Sequence, residues 1–141
     1  MAADIRGQLG ALGLSGRSLK AGEVYTVPDL DVSFPKTKLQ RDQGQGVHET
    51  RTVVIMQDGP TLVDPLLQTV LVAPTSCKTN VKTCNDLLLS LGEGGLVRDS
   101  VCMVDHIQPV LKTNLITLWG RLANRRIEEL QVLLAAITGS P

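Results

Sequence analysis

Polar residues gather at the ends of predicted strands: His48, Glu49 and Arg51, then Thr75, Ser76, Lys78 and Lys82, then Asp105 and His106. An imidazole titrates near neutral pH and a carboxylate can be tuned toward it, so His48 or Asp105 could move protons. Arg51 offers a rigid, permanently charged fork of donors that suits phosphate or carboxylate oxygens. The hydroxyls of Thr75 and Ser76 could orient a bound group by hydrogen bonding. Spacing alone favours plainer roles, with Arg51 as a salt-bridged edge residue and Thr75 as a turn hydroxyl after Pro74. Several chemistries have no counterpart. Gly92-Glu93-Gly94-Gly95 lacks the Lys-Ser/Thr that completes a phosphate-binding loop, and it reads as a hairpin turn. There is no G-x-S-x-G elbow and no dense carboxylate cluster. Two histidines and three cysteines without paired C-x-x-C spacing do not suggest a zinc site, so neither a metal nor another cofactor is expected.

The elements that must position these residues follow from 141 residues, 43% hydrophobic and 20% charged, with 14 basic and 14 acidic side chains that cancel. Length and composition suit one globular domain with one core. Zero net charge excludes bulk polycation binding, so nucleic-acid contact must come from local basic clusters such as Lys36, Lys38 and Arg41 or Lys78 and Lys82. Tyr25, Phe34 and Trp119 are too few aromatics for an extended base-stacking platform. The odd cysteine count fits reduced thiols in a cytoplasmic protein, and no apolar run is long enough to span a bilayer.

Residues 1–21 form a Gly-, Ala- and Ser-rich lead-in, with Ile5, Leu9 and Leu12 spaced for a short helix. Strands are expected at 22–27 (ended by Pro28), 51–57, 68–74, 86–91 and 100–104. The polar stretch from Asp29 to Thr50 is a long loop of the kind that is usually functional or disordered. Strands joined by short turns, with no crossover helix between them, argue for an antiparallel sheet curled into a small barrel. Residues 123–137 place Ile127, Leu130, Leu133, Leu134 and Ile137 on one face of a closing amphipathic helix, expected to pack on the barrel. Trp119 is expected in the core or a dimer interface.

Three stretches together resemble the MazF/PemK family of toxin endoribonucleases: Gly22-Glu23-Val24-Tyr25, Glu49-Thr50-Arg51-Thr52-Val53-Val54 and Val70-Leu71-Val72-Ala73-Pro74-Thr75-Ser76. So do Gly95-Leu96-Val97-Arg98-Asp99-Ser100-Val101, Val104-Asp105-His106-Ile107 and Leu118-Trp119-Gly120-Arg121-Leu122. The resemblance covers residues 22–141. It implies a small SH3-like barrel with a C-terminal helix. It also implies a homodimer that cuts single-stranded RNA without a metal, leaves a cyclic phosphate and a 5′-hydroxyl, and is silenced by a cognate antitoxin. Arg51 and Thr75 would fill the places of the catalytic pair, and His48 and Asp105 those of a subgroup's proton-transfer residues. Cleavage through the RNA's own 2′-hydroxyl needs that group oriented and the growing negative charge stabilised. Arg51 suits the second task and the Thr75 hydroxyl would hydrogen-bond the phosphate or the 2′-oxygen, while Lys36, Lys38, Arg41, Glu49, Ser76, Lys78, Lys82, His106 and Gln108 would contact RNA.

The chain differs from the family pattern in three places. Thr52 replaces a proline, Val47 precedes His48-Glu49 where a glycine is usual, and His106 and Gln108 replace a glutamine and an arginine. The lost arginine would slow cleavage or alter the recognised sequence. Two alternatives keep the fold and change the function. One is a CcdB-like gyrase poison, although the terminal Thr138-Gly139-Ser140-Pro141 lacks the tryptophan-containing end of such proteins. The other is a degenerate antitoxin-binding module without catalysis.

Overall fold

The computed structural model describes residues 18–33 and 50–139. The expected N-terminal helix and the residues Lys36, Lys38, Arg41, His48 and Glu49 lie outside them. Among the described residues seven strands form one antiparallel system: β1 (Glu23–Pro28), β2 (Thr50–Ile55), β3 (Thr69–Ser76), β4 (Asp86–Leu89), β5 (Ser100–Met103), β6 (Gln108–Leu111) and β7 (Leu118–Arg121). Their order is β4-β5-β3-β2-β1-β7, with β6 also beside β3. The sheet curls as expected for a small barrel, and helix α1 (Asn124–Ile137) packs on it.

The central strands bury both faces, which explains their continuous apolar runs. One face sends Val24, Val54 and Ala73 into a core with Leu89, Leu96, Cys102 and Leu122, capped by Ile127 and Leu130 of α1. Leu133, Leu134 and Ile137 pack against the same core, so the expected helix face is the observed one. The other face sends Tyr25, Val27, Val53, Ile55, Val70 and Val72 into a second core with Val110 and Leu115. Leu19 and Ala21, which precede β1, are buried in these cores.

Strand β3 divides one of its edges between two partners. Residues Thr69–Val72 pair with β6, whereas Thr75 and Ser76 pair with Cys102 and Val101 of β5. Pro74 falls at the fork. Met56 N–H donates to Leu71 O at 3.0 Å, and bonded pairs alternate along an antiparallel ladder. Val53–Pro74 is therefore a non-bonded pair, and the missing proline N–H costs no bond to β2.

Two strands depart from the sequence expectation. β6 contains Pro109 and β7 contains Gly120, and both are four-residue strands, too short and too interrupted to show alternation. The glycine turn does join β4 to β5, and it also anchors the helix. Arg126 donates from Nε to Glu93 Oε1 at 2.8 Å and from Nη2 to Oε2 at 3.1 Å. The turn lies so close to β7 that a Cβ on Gly95, whose φ is +81°, would stand 2.3 Å from Trp119 O. Only glycine fits there.

Candidate active site

The apolar row Val24–Val54–Ala73 is followed, one step along the same face, by a row of hydroxyls. Val24 pairs with Val54 and Thr26 with Thr52 across β1 and β2. Val54 pairs with Ala73, and the same register continued sets Thr52 opposite Thr75. Thr75 Oγ1 donates to Thr52 O at 3.1 Å and also contacts Thr52 Oγ1. Thr26 Oγ1 accepts from Thr117 N–H at 3.1 Å. The core face thus ends in a polar shelf.

A cavity of about 240 Å³ opens over this shelf. It is lined by Thr26, Thr52, Thr75, Ser76 and Cys77, by Thr50 and Arg51 at the start of β2, and by Leu96, Val97, Arg98, Ser100 and Trp119. The last group is held in place by the tight packing of the glycine turn on β7. Arg51 and Thr75, distant in sequence, therefore meet at one cavity. Alternation sends the Arg51 side chain to the opposite face from Thr52, where its Nε lies 2.6 Å from Asp29 Oδ1. The two side chains are 15% and 2% exposed, so this is a largely buried ion pair that fixes the guanidinium.

The remaining candidates are dispersed. Ser76 is buried at the cavity, and its Oγ accepts from Lys78 N–H at 3.2 Å. Lys78 Nζ is shielded from solvent without a hydrogen bond to a described residue, and it does not line the cavity. Lys82 Nζ donates to Thr83 O on the surface. Asp105 and His106 form the turn after β5, with His106 Nε2 3.7 Å from Asp105 Oδ1 and Asn85 Nδ2 3.4 Å from Asp105 Oδ2. Neither lines the cavity. Gln108 pairs with Val72, so alternation puts it on the face opposite Thr75. There its Oε1 accepts from Ser33 N–H at 2.9 Å and its Nε2 donates to Ser33 O at 3.2 Å.

Sequence reasoning did not single out Arg98, Thr26 or Thr52 as lining residues. Arg98 was visible as a cation beside a strand start. The threonine row becomes legible only once the strand registers are known. Trp119 is half-buried, packs on the first core as expected and also borders the cavity. The described lining combines hydroxyls, a thiol and two arginine residues, Arg51 and Arg98, a polar set suited to an anion with sugar hydroxyls. Among the described residues no helix is long and apolar enough to cross a membrane.

Residues 32–138 match the family described as PemK-like, MazF-like toxin of type II toxin–antitoxin system. No curated protein matches the chain by sequence. Among solved structures, similar folds include an endoribonuclease in complex with its cognate antitoxin from a mycobacterial species. That match has 15% identity and a TM-score of 0.63, covering 88% of this chain and 98% of the other. The Mycobacterium tuberculosis toxin MazF-mt6 is 17% identical with a TM-score of 0.61, over 84% of this chain and 98% of that one. A MazE–MazF structure from Deinococcus radiodurans is 11% identical with a TM-score of 0.62, over 89% and 99%.

Proposed function

The chain belongs to the PemK-like, MazF-like toxins of type II toxin–antitoxin systems, and from that premise we propose that it is a metal-independent endoribonuclease that cuts single-stranded RNA at short sequences. The observation that carries this reading is the single cavity shared by Arg51, Thr75 and Ser76. In the proposed reaction the ribose 2′-oxygen loses its proton and bonds to the neighbouring phosphorus. The bond from phosphorus to the 5′-oxygen breaks, and that oxygen takes up a proton. The products are a 2′,3′-cyclic phosphate and a free 5′-hydroxyl.

Each residue contributes according to its environment. Thr75 gives its proton to Thr52 O, so Oγ1 meets the cavity as an acceptor that can orient the 2′-hydroxyl. Arg51 stabilises the extra charge on the phosphate oxygens, and Asp29 saves it the entropy of finding its position. Its pKa above about 12 makes it a poor proton shuttle. His48, just before Thr50 in sequence, takes that part in preference to Asp105, which lies with Asn85 and His106 away from the cavity lining. The RNA contacts would extend to the basic residues Lys36, Lys38 and Arg41. The toxin would act in the cytoplasm as a homodimer, and a cognate antitoxin would block the cavity.

The test is incubation of the purified protein with a long single-stranded RNA in excess EDTA, followed by sequencing of the new 5′ ends. Discrete cuts at a recurring short sequence are expected, with 5′ ends that need phosphorylation before ligation. Arg51→Ala and Thr75→Val should abolish them. Intact RNA in the presence of folded wild-type protein would refute the reading.

A further inference from the structure

The two arginines among the residues that line the cavity stand in different electrostatic situations. Arg51 is bound to a buried carboxylate, so part of its charge is already answered within the protein. Arg98 is exposed, and its guanidinium makes no ion pair or hydrogen bond with a described residue. Its acidic neighbours in the same connection are committed elsewhere. Asp99 Oδ1 accepts from Leu91 N–H at 2.8 Å, and Glu93 is held by Arg126 and Arg125. The backbone beneath Arg98 is fixed, because Ser100 Oγ donates to Arg98 O at 3.1 Å and Leu96 is buried in the core. A cation with no partner among the described residues is thus mounted on a firm wall of the cavity that Thr75 and Ser76 also line.

We propose that Arg98 is a second phosphate-binding residue of this cavity, gripping the RNA backbone through non-bridging phosphate oxygens while Arg51 serves the phosphate that reacts. The proposal rests on the reading of the cavity as an RNA-cleavage site. It assigns binding to Arg98 and transition-state stabilisation to Arg51. An uncommitted exposed guanidinium holds ground state and transition state alike, whereas a buried, oriented one favours the charge that develops at a fixed point. The division is readable in the kinetics: losing Arg98 should raise KM, and losing Arg51 should lower kcat.

The experiment uses the full chain and a single-stranded RNA containing the cleaved sequence, made non-cleavable by a 2′-deoxy substitution at the cut. Affinity is measured over a range of salt concentrations for wild type, Arg98→Ala, Arg98→Lys and Arg51→Ala. Arg98→Ala should weaken binding about tenfold at moderate salt. It should also reduce the slope of log affinity against log salt by roughly 0.7, the value for one lost phosphate contact on a single strand. Arg98→Lys should keep the slope, because it keeps the charge. On cleavable RNA, Arg98→Ala should raise KM with kcat changed less than about threefold. If Arg98→Ala leaves affinity and slope unchanged while wild type still cuts RNA, Arg98 does not touch phosphate and the proposal fails alone. If wild type neither binds nor cuts RNA, the cleavage reading fails and this proposal with it.

Discussion

The Asp29–Arg51 pair offers the sharpest test of how the site is built. Its partners are 2% and 15% exposed with 2.6 Å between Oδ1 and Nε, so each ion is largely out of water and answered by the other. Taking away one member of such a pair costs about 3–5 kcal/mol, because the survivor loses its counter-charge where water cannot replace it. A domain of this size has about 5–15 kcal/mol in total, so Arg51→Ala and Asp29→Ala should each remain folded at 25 °C but melt about 10–15 °C lower. The double variant removes both charges and should cost about 2–3 kcal/mol less than the sum of the singles. Urea unfolding at pH 7 of the four proteins, with slopes checked for two-state behaviour, measures this directly. A coupling below about 0.5 kcal/mol would mean that the pair exchanges freely with water in solution. Arg51 would then be unfixed, and the argument for its orientation would be lost.

Three further outcomes follow from the packing and the titrating groups. Gly95→Ala puts a Cβ 2.3 Å from Trp119 O at a φ of +81°, so it should destabilise the fold by at least about 2 kcal/mol in thermal unfolding. Complete burial, with Asp86 nearby as a lesser cause, pushes the Cys102 thiol up to about 12. N-ethylmaleimide at pH 8 should therefore label the exposed Cys77 and Cys84 in the native protein and reach Cys102 only on unfolding. The Arg126 hydrogen bonds hold Glu93 below its ordinary value, a stabilisation present above about pH 4.5 and lost as pH falls through the lowered folded-state value. Arg126→Gln should cost about 1 kcal/mol at pH 7, and the difference from wild type should shrink on acidification below about pH 4.

Five strands and the helix were legible because their apolar and β-branched runs are long and sharply bounded, as when Pro28 ends β1 at the expected place. β6 and β7 were not legible. Gln108–Leu111 and Leu118–Arg121 owe their strand conformation to neighbours that are remote in sequence rather than to their own pattern. Arg51 and Thr75 could be nominated from the sequence. Their meeting depends on the registers of β1 with β2 and of β2 with β3, which no local signal specifies. Thr52, which replaces a family proline, could not be read as a partner of Thr75 until that register put the two hydroxyls in contact. Asp105 and His106 were nominated in the same way, and the structure puts them in a turn that does not line the cavity. The lead-in also reaches further into the domain than composition suggested, because Leu19 and Ala21 are buried.

The fork in β3 divides the molecule into two units of unequal independence. The β4–β5 hairpin ladders to the main sheet through only two residues of β3, Thr75 and Ser76, and is otherwise secured by side-chain packing of Leu89, Leu96 and Cys102, by its glycine turn on β7 and by the Glu93–Arg126 bonds. Native-state amide exchange should therefore report two cooperative units, with the hairpin opening at a lower free energy than β1, β2 and the first half of β3. The cavity sits on the seam, with Thr52 and Thr75 on one side and Arg98 and Ser100 on the other. A polyanion that bridges the seam joins the two units into one. Occupancy would then slow exchange across the whole hairpin, including amides that the ligand never touches.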